Sequence, residues 1–183
     1  GTFIPCVAKI FKSDSGQEAY FDEALAQMAA ECFAQRFNHF PLRHKIAFLP
    51  VSVMMLEERN GLLCNVEPMM SGKYIKHNDN NGHVESKEAL PQTFSHWTWE
   101  ASEHTLVVCD IQGVGLCYTD PQVHSLDGYS FGQGNLGKTG ILKFLRSHKC
   151  NALCASLGLP PMHRTVAERQ VRHRLYYLQK LSS

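Results

Sequence analysis

No stretch of this 183-residue chain approaches the roughly 18 consecutive apolar residues that a membrane-spanning helix needs. The first residues show no charged start followed by an apolar segment, so no secretory leader is expected. The balance of 18 Lys and Arg against 17 Asp and Glu leaves a net charge of +1. That near-neutrality removes any general electrostatic argument for a nucleic-acid or membrane partner. Internal repeats and low-complexity tracts are missing too. The seven cysteines are not spaced like a secreted disulfide framework, and an odd number leaves one thiol over. Such usage fits a reducing, intracellular compartment, so the expected location is cytoplasmic.

What is present is the composition of one globular domain, with 44% hydrophobic and 19% charged residues. Cys6 to Phe11 reads as a short strand with Lys9 inside it, and Ser13 to Gln17 as a turn. Ala19 to Phe37 has apolar residues at helical spacing, with Asn38 suited to the exit. Ile46–Met55 and Leu62–Val66 read as antiparallel strands joined by the Glu57–Gly61 turn. Ser71 to Glu88 is polar and reads as loop, and Pro91 to Ser102 as helix. Thr105 to Ile111 is the most apolar strand and is expected to be central. Gly113 to Gly137 reads mostly as loop. Helices are predicted over Ile141–Leu157, stopped by Gly158 and two prolines, and over Thr165–Leu181.

Chemistry concentrates between Val107 and Cys154. Asp110 closes the apolar strand, Gln112 follows, and Asp120 stands in Y-T-D-P. Carboxylates at strand ends can hold Mg²⁺ or take a proton, though aspartates before Pro or Gly are also ordinary turn residues. Lys9 interrupts V-A-K-I-F, either as a compact cation for phosphate or as an outward-facing lysine. G-Q-G-N-L-G, Gly132 to Gly137, matches the dinucleotide fingerprint in letters only. It follows no predicted strand, so a substrate-contacting loop or a plain turn fits better. His148-x-Cys150-x₃-Cys154 has the spacing of a metal half-site, with both thiols on one face of the predicted helix. A structural Zn²⁺ needs a fourth ligand, for which His96 and His124 are available. The plainer alternative is buried cysteines acting as small hydrophobes.

These residues together resemble the alpha-kinases, atypical eukaryotic protein kinases. The matching pieces are V-A-K (7–9), V-E-P (66–68), G-K-Y-I-K-x-N-x-N (72–80) and F-S-H-W-T (94–98). They continue with D-I-Q-G-V-G (110–115), Y-T-D-P-Q-V-H (118–124), G-x-G-N-L-G (132–137) and H-x-C-N-x-x-C (148–154). The resemblance implies an α+β, two-lobed, protein-kinase-like fold with a zinc-stabilised C-lobe. It would divide into a partial N-lobe over 1–66, a catalytic C-lobe over 67–163 and a terminal helix over 164–183. The implied activity is transfer of the ATP γ-phosphoryl to Ser or Thr of a protein substrate.

In that scheme Lys9 contacts the ATP phosphates, while Glu67 and Met69 hold the adenine through their backbone. Lys76 and Asn80 line the phosphate and metal region. Asp110 is the catalytic acid, and Gln112 and Asp120 hold Mg²⁺. Gly132, Gly134, Asn135 and Gly137 face the protein substrate, and His96, His148, Cys150 and Cys154 bind Zn²⁺. The family places strands and a phosphate-covering glycine-rich loop before V-A-K, so an N-terminally short domain is expected. The helix acid that would pair with Lys9 is open between Glu23 and Glu31. The rival function is a non-catalytic, zinc-stabilised pseudokinase or binding module.

Overall fold

The computed structural model describes residues 3–12, 15–162 and Val171. Strand β1 (Cys6–Lys9) leads into helix α1 (Glu18–Phe37), which opens with an acid, Glu18, and closes with a base, Arg36, as its dipole favours. Asn38 ends it by clasping the next segment. Its Nδ2 donates to the Ile46 carbonyl at 2.7 Å, and its Oδ1 accepts from the Ile46 N–H at 3.0 Å. Strands β3 (Ser52–Leu56) and β4 (Leu62–Pro68) form the expected hairpin through a 3₁₀ turn at Glu57–Arg59, and β1 pairs with the far side of β4.

The expected single strand over Ile46–Met55 is two. β2 (Ala47–Phe48) ends before Pro50, which has no N–H for a ladder, and joins a different sheet from β3. That second sheet runs β2-β8-β7-β5, with β5 (Tyr74–Lys76), β7 (Gln112–Val114) and β8 (Cys117–Thr119). The segments 71–88 and 113–137, read as loop, therefore carry β5, β7, β8 and β9 (Gln122–Ser125). Strands of three or four residues are too short to show a period of two.

Among the described residues, the strand expected to be central, β6 (Leu106–Cys109), pairs only with β9. Its burial comes from helices instead. On one side, α2 (Ala89–Ala101) brings Phe94 and Trp97 into a core with Phe37, Phe48, Val108, Ile111 and Tyr118. On the other, α3 (Gly137–Ser147) packs Ile141, Phe144 and Leu145 with Trp99 and Val107. Each such side chain contributes roughly 1.5–3 kcal/mol on burial. Small residues at Ala26, Ala30 and Ala34 let α1 approach this core closely.

The helix predicted over Ile141–Leu157 breaks at His148–Asn151, leaving α3 and a short α4 (Ala152–Ser156). Asn151 starts α4 by accepting the Leu153 and Cys154 N–H groups at 2.9 and 3.1 Å. The predicted helix over Thr165–Leu181 lies outside the described residues apart from Val171, which is buried. Among the described residues no helix is long and apolar enough to cross a membrane, and all seven cysteines are free.

Candidate functional site

Strand alternation builds the first part of the site. Lys9 lies opposite Asn65 in the β1–β4 ladder, so Glu67, two residues on, shares its face. Lys9 Nζ donates to Glu67 Oε2 at 2.8 Å, Asp120 Oδ1 at 2.5 Å and Thr119 Oγ1 at 3.2 Å. Burial works against the ammonium, but the hydrogen bonds to Asp120 and Glu67 outweigh it and raise its pKa. The partner acid thus comes from β4, not from the helix. Glu23 is held by Asn65 Nδ2 at 3.3 Å, and Glu31 accepts the Phe48 N–H at 2.7 Å.

Helix α1 supplies Gln27 instead, a residue the sequence reading missed. Its Nε2 donates to Glu67 Oε1 at 3.0 Å and to the Leu49 carbonyl at 2.8 Å, while its Oε1 accepts the Asp120 N–H at 3.0 Å. Thr119 Oγ1 also donates to Glu67 Oε2 at 2.7 Å. A buried glutamine can serve donors and acceptors at once, so it locks helix, hairpin and second sheet around one lysine. Behind Lys9, a cavity of ≈ 60 Å³ is lined by Glu23, Gln27, Asn65, Glu67, Asp120 and Gln122 among others.

Asp110 and Asp120 each follow a strand directly, β6 and β8, with φ of 56° and 51°. Aspartate is one of the few residues that tolerates this left-handed corner. The corner at Asp110 is pinned by Asn78, whose Oδ1 accepts the Ile111 N–H at 2.9 Å. Lys76, at the end of β5, forms a 2.7 Å ion pair with Asp110 Oδ1. Burial raises the Asp110 carboxyl pKa, and Lys76 pulls it only part of the way back. Gln112 Nε2 donates to the Asp120 carbonyl at 3.3 Å. Burial, and then the negative Asp120, Asp110 and Glu67, push the Tyr74 hydroxyl up to about 12. Tyr74, unassigned in the sequence reading, thus lies within reach of the charges of all three acids.

Two expected residues join through their backbone. The Met69 N–H donates to the Pro5 carbonyl at 2.8 Å, extending the β1–β4 edge beyond Glu67. The Asn80 carbonyl accepts from His124 Nε2 at 2.9 Å. In the glycine loop the Asn135 side chain is turned inward and holds the loop closed. Its Oδ1 accepts the Ser125 and Gly137 N–H groups, and its Nδ2 donates to Ser125 Oγ and the Ser130 carbonyl. An added Cβ at Gly134 would lie 1.2 Å from Gln122 Oε1, so the Gln122 amide would have to swing aside.

His96, His148, Cys150 and Cys154 present ligand atoms that all lie within 4.8 Å of one another. Cys150 Sγ is 3.8 Å from His96 Nδ1, and Cys154 Sγ is 3.7 Å from His148 Nε2. Zn–S and Zn–N bonds of ordinary length in a tetrahedron give an S···N edge of about 3.6 Å. Cys150 stands in the break before α4, so the two thiols do not converge along one helix face as predicted. Burial, and then His96, bring the His148 pKa down to about 4, which keeps it neutral. His124, the other available imidazole, spends both ring nitrogens on backbone bonds elsewhere.

Residues 4–154 match the model of the alpha-kinase family. Myosin heavy chain kinase B of Dictyostelium discoideum is 46% identical over 156 residues, covering 84% of this chain and 21% of that protein. Eukaryotic elongation factor 2 kinase of Homo sapiens is 40% identical over 166 residues, covering 89% of this chain and 23% of that protein. The alpha-kinase domain of myosin-II heavy chain kinase A in complex with AMP-PNP superimposes with a TM-score of 0.82 at 43% identity, over 85% of this chain and 64% of that one. The chain spans about a fifth of the length of the curated relatives it matches. With its motifs, its fold and its relatives in agreement, the chain belongs to the alpha-kinase family.

Proposed function

We propose that this chain transfers the γ-phosphoryl of ATP to Ser or Thr of a protein substrate. The observation that carries the reading is the pairing of two lysines with two strand-end acids, Lys9 with Asp120 and Lys76 with Asp110. Phosphoryl transfer asks little covalent chemistry of a protein. It asks for fixed cations on the phosphates and a carboxylate near the acceptor hydroxyl. Lys9, held by Glu67, is the phosphate cation, and Glu67 and Met69 are the backbone positions for adenine. Asp110 orients the acceptor hydroxyl and takes its proton, a role its raised pKa favours. Lys76 and Asn80 border the transferred group. Gln112 and Asp120 are the side chains assigned to Mg²⁺, which when bound neutralises phosphate oxygens. The loop of Gly132, Gly134, Asn135 and Gly137 faces the protein substrate.

The domain division follows the same reading, with an N-lobe over 1–66 and a catalytic C-lobe from 67 onward, in a cytoplasmic protein. His96, His148, Cys150 and Cys154 are assigned to a structural Zn²⁺. The donor set fits, being two thiols and two imidazoles that burial keeps neutral, with two sulfur–nitrogen distances close to a tetrahedral edge. The test is Asp110→Ala in the full-length protein, assayed with Mg-ATP and a threonine-containing test peptide. Phosphorylation is expected to vanish, and retained turnover would remove Asp110 from its role.

A further inference from the structure

His124 lies on β9, is fully buried, and touches both halves of the site without belonging to either. Its Nε2 sits 2.9 Å from the Asn80 carbonyl, which can only accept, so Nε2 carries the proton. Its Nδ1 sits 3.1 Å from the Leu136 N–H, which can only donate, so Nδ1 carries none. The two backbone partners therefore fix one neutral tautomer. The ring is gripped from a third side by α3, where an added Cβ at Gly140 would lie 2.4 Å from His124 Cδ2.

We propose that His124 is a positioning residue that sets the spacing between the Lys76–Asn80 segment and the glycine loop at 132–137. Resting on the functional reading above, it couples the nucleotide end of the site to the protein-substrate end. Asn80 and Leu136 lie 56 positions apart in sequence and meet through this one imidazole. The loop is otherwise tied to its own surroundings by Asn135, and Asn81 has a separate tie to α3 through Lys143 Nζ at 2.8 Å. His124 joins the two systems.

Two conservative variants separate its two bonds. In His124→Gln the side-chain amide reaches the Nε2 position and keeps a donor for Asn80. In His124→Asn the side-chain oxygen takes the Nδ1 position and keeps an acceptor for Leu136. Amide hydrogen exchange on the full-length protein reads the coupling without turnover. The glutamine variant is expected to speed exchange about 5-fold at 132–137 and leave 78–82 protected, and the asparagine variant to do the reverse. In steady state, His124→Gln is expected to raise the test-peptide KM about 5-fold with the Mg-ATP KM nearly unchanged, and His124→Asn to raise the Mg-ATP KM. If both variants loosen both segments alike, or neither changes exchange, the coupling is refuted. If one variant fails to fold, the segment loosened in the other still decides. Should the wild type transfer no phosphoryl group, the functional reading falls, while the exchange pattern still judges His124.

Discussion

Lys9 and Asp120 form a 2.5 Å ion pair, so the lysine assigned to the phosphates holds the acid assigned to the metal. Its other side rests on Glu67, which is almost wholly buried. Removing the lysine leaves Glu67 with Gln27 and Thr119 as partners but no compensating charge. Lys9→Met is therefore expected to destabilise the fold by about 1–3 kcal/mol, and adding Glu67→Gln to restore a good part of it. Urea unfolding of the two single variants and the double variant measures the coupling. Strict additivity would mean that the pair is not a unit.

Asp110 presents the opposite case. Its carboxyl pKa is raised because burial costs the charge more than Lys76 returns. Asparagine tolerates the same left-handed backbone and carries no charge to desolvate. Lys76 is about a third exposed and can turn to water. Asp110→Asn is thus expected to hold or raise the melting temperature, by up to about 3 °C, while abolishing phosphorylation. A clear fall in melting temperature would show that the ion pair, not the burial cost, dominates at this corner.

Part of this candidate site was legible in the sequence because several of its motifs lie at element boundaries with their own signal. V-A-K lay inside a short apolar strand and V-E-P at the end of another, and the β3–β4 hairpin followed from its turn residues. What escaped were long-range partners. Gln27 is a glutamine in a helix face of alanines, a polar residue at a core position, and that was the available clue to its role beside Glu67. Asn78 and Asn135 sit in polar stretches, where nothing local separates a buried pin from a solvated residue. The strands β7 and β8 are three residues each, and their identity comes from neighbours supplied by β5 and β2. The zinc-type cluster was readable as a set of ligands, but not the helix break at His148–Asn151 that brings Cys150 to it.

Metal content is the next test. The full-length protein is expected to carry about one equivalent of Zn²⁺ per chain, and a strong chelator to lower its melting temperature, because the cluster ties α2 to the α3–α4 break. Cys154→Ser is expected to lose the metal as well, since Cys154 is the buried thiol. Metal-free protein with unchanged melting would leave the four residues as a packed cluster without an ion.

Acid sensitivity follows from the buried imidazoles. Burial lowers the pKa of His77, with Glu88 opposing, and that of His124, with Lys143 assisting and the Asn80 carbonyl opposing. In the unfolded chain both take up a proton near pH 6.5. The unfolded state then binds more protons than the native one, so stability falls as pH drops below about 6.5 and through the lowered native values. Each histidine contributes a slope of at most about 1.4 kcal/mol per pH unit. Asp110 and Glu23, both raised, act in the opposite sense, losing stability as pH climbs through their native values. The histidine signature can be isolated by following the melting of wild type and His124→Gln from pH 7.5 to 5 at fixed zinc, where losses common to both cancel. The variant is expected to show the shallower decline. Parallel curves would mean that His124 is protonated in the native fold as readily as in the unfolded chain, and the tautomer deduced from Asn80 and Leu136 would have to be abandoned.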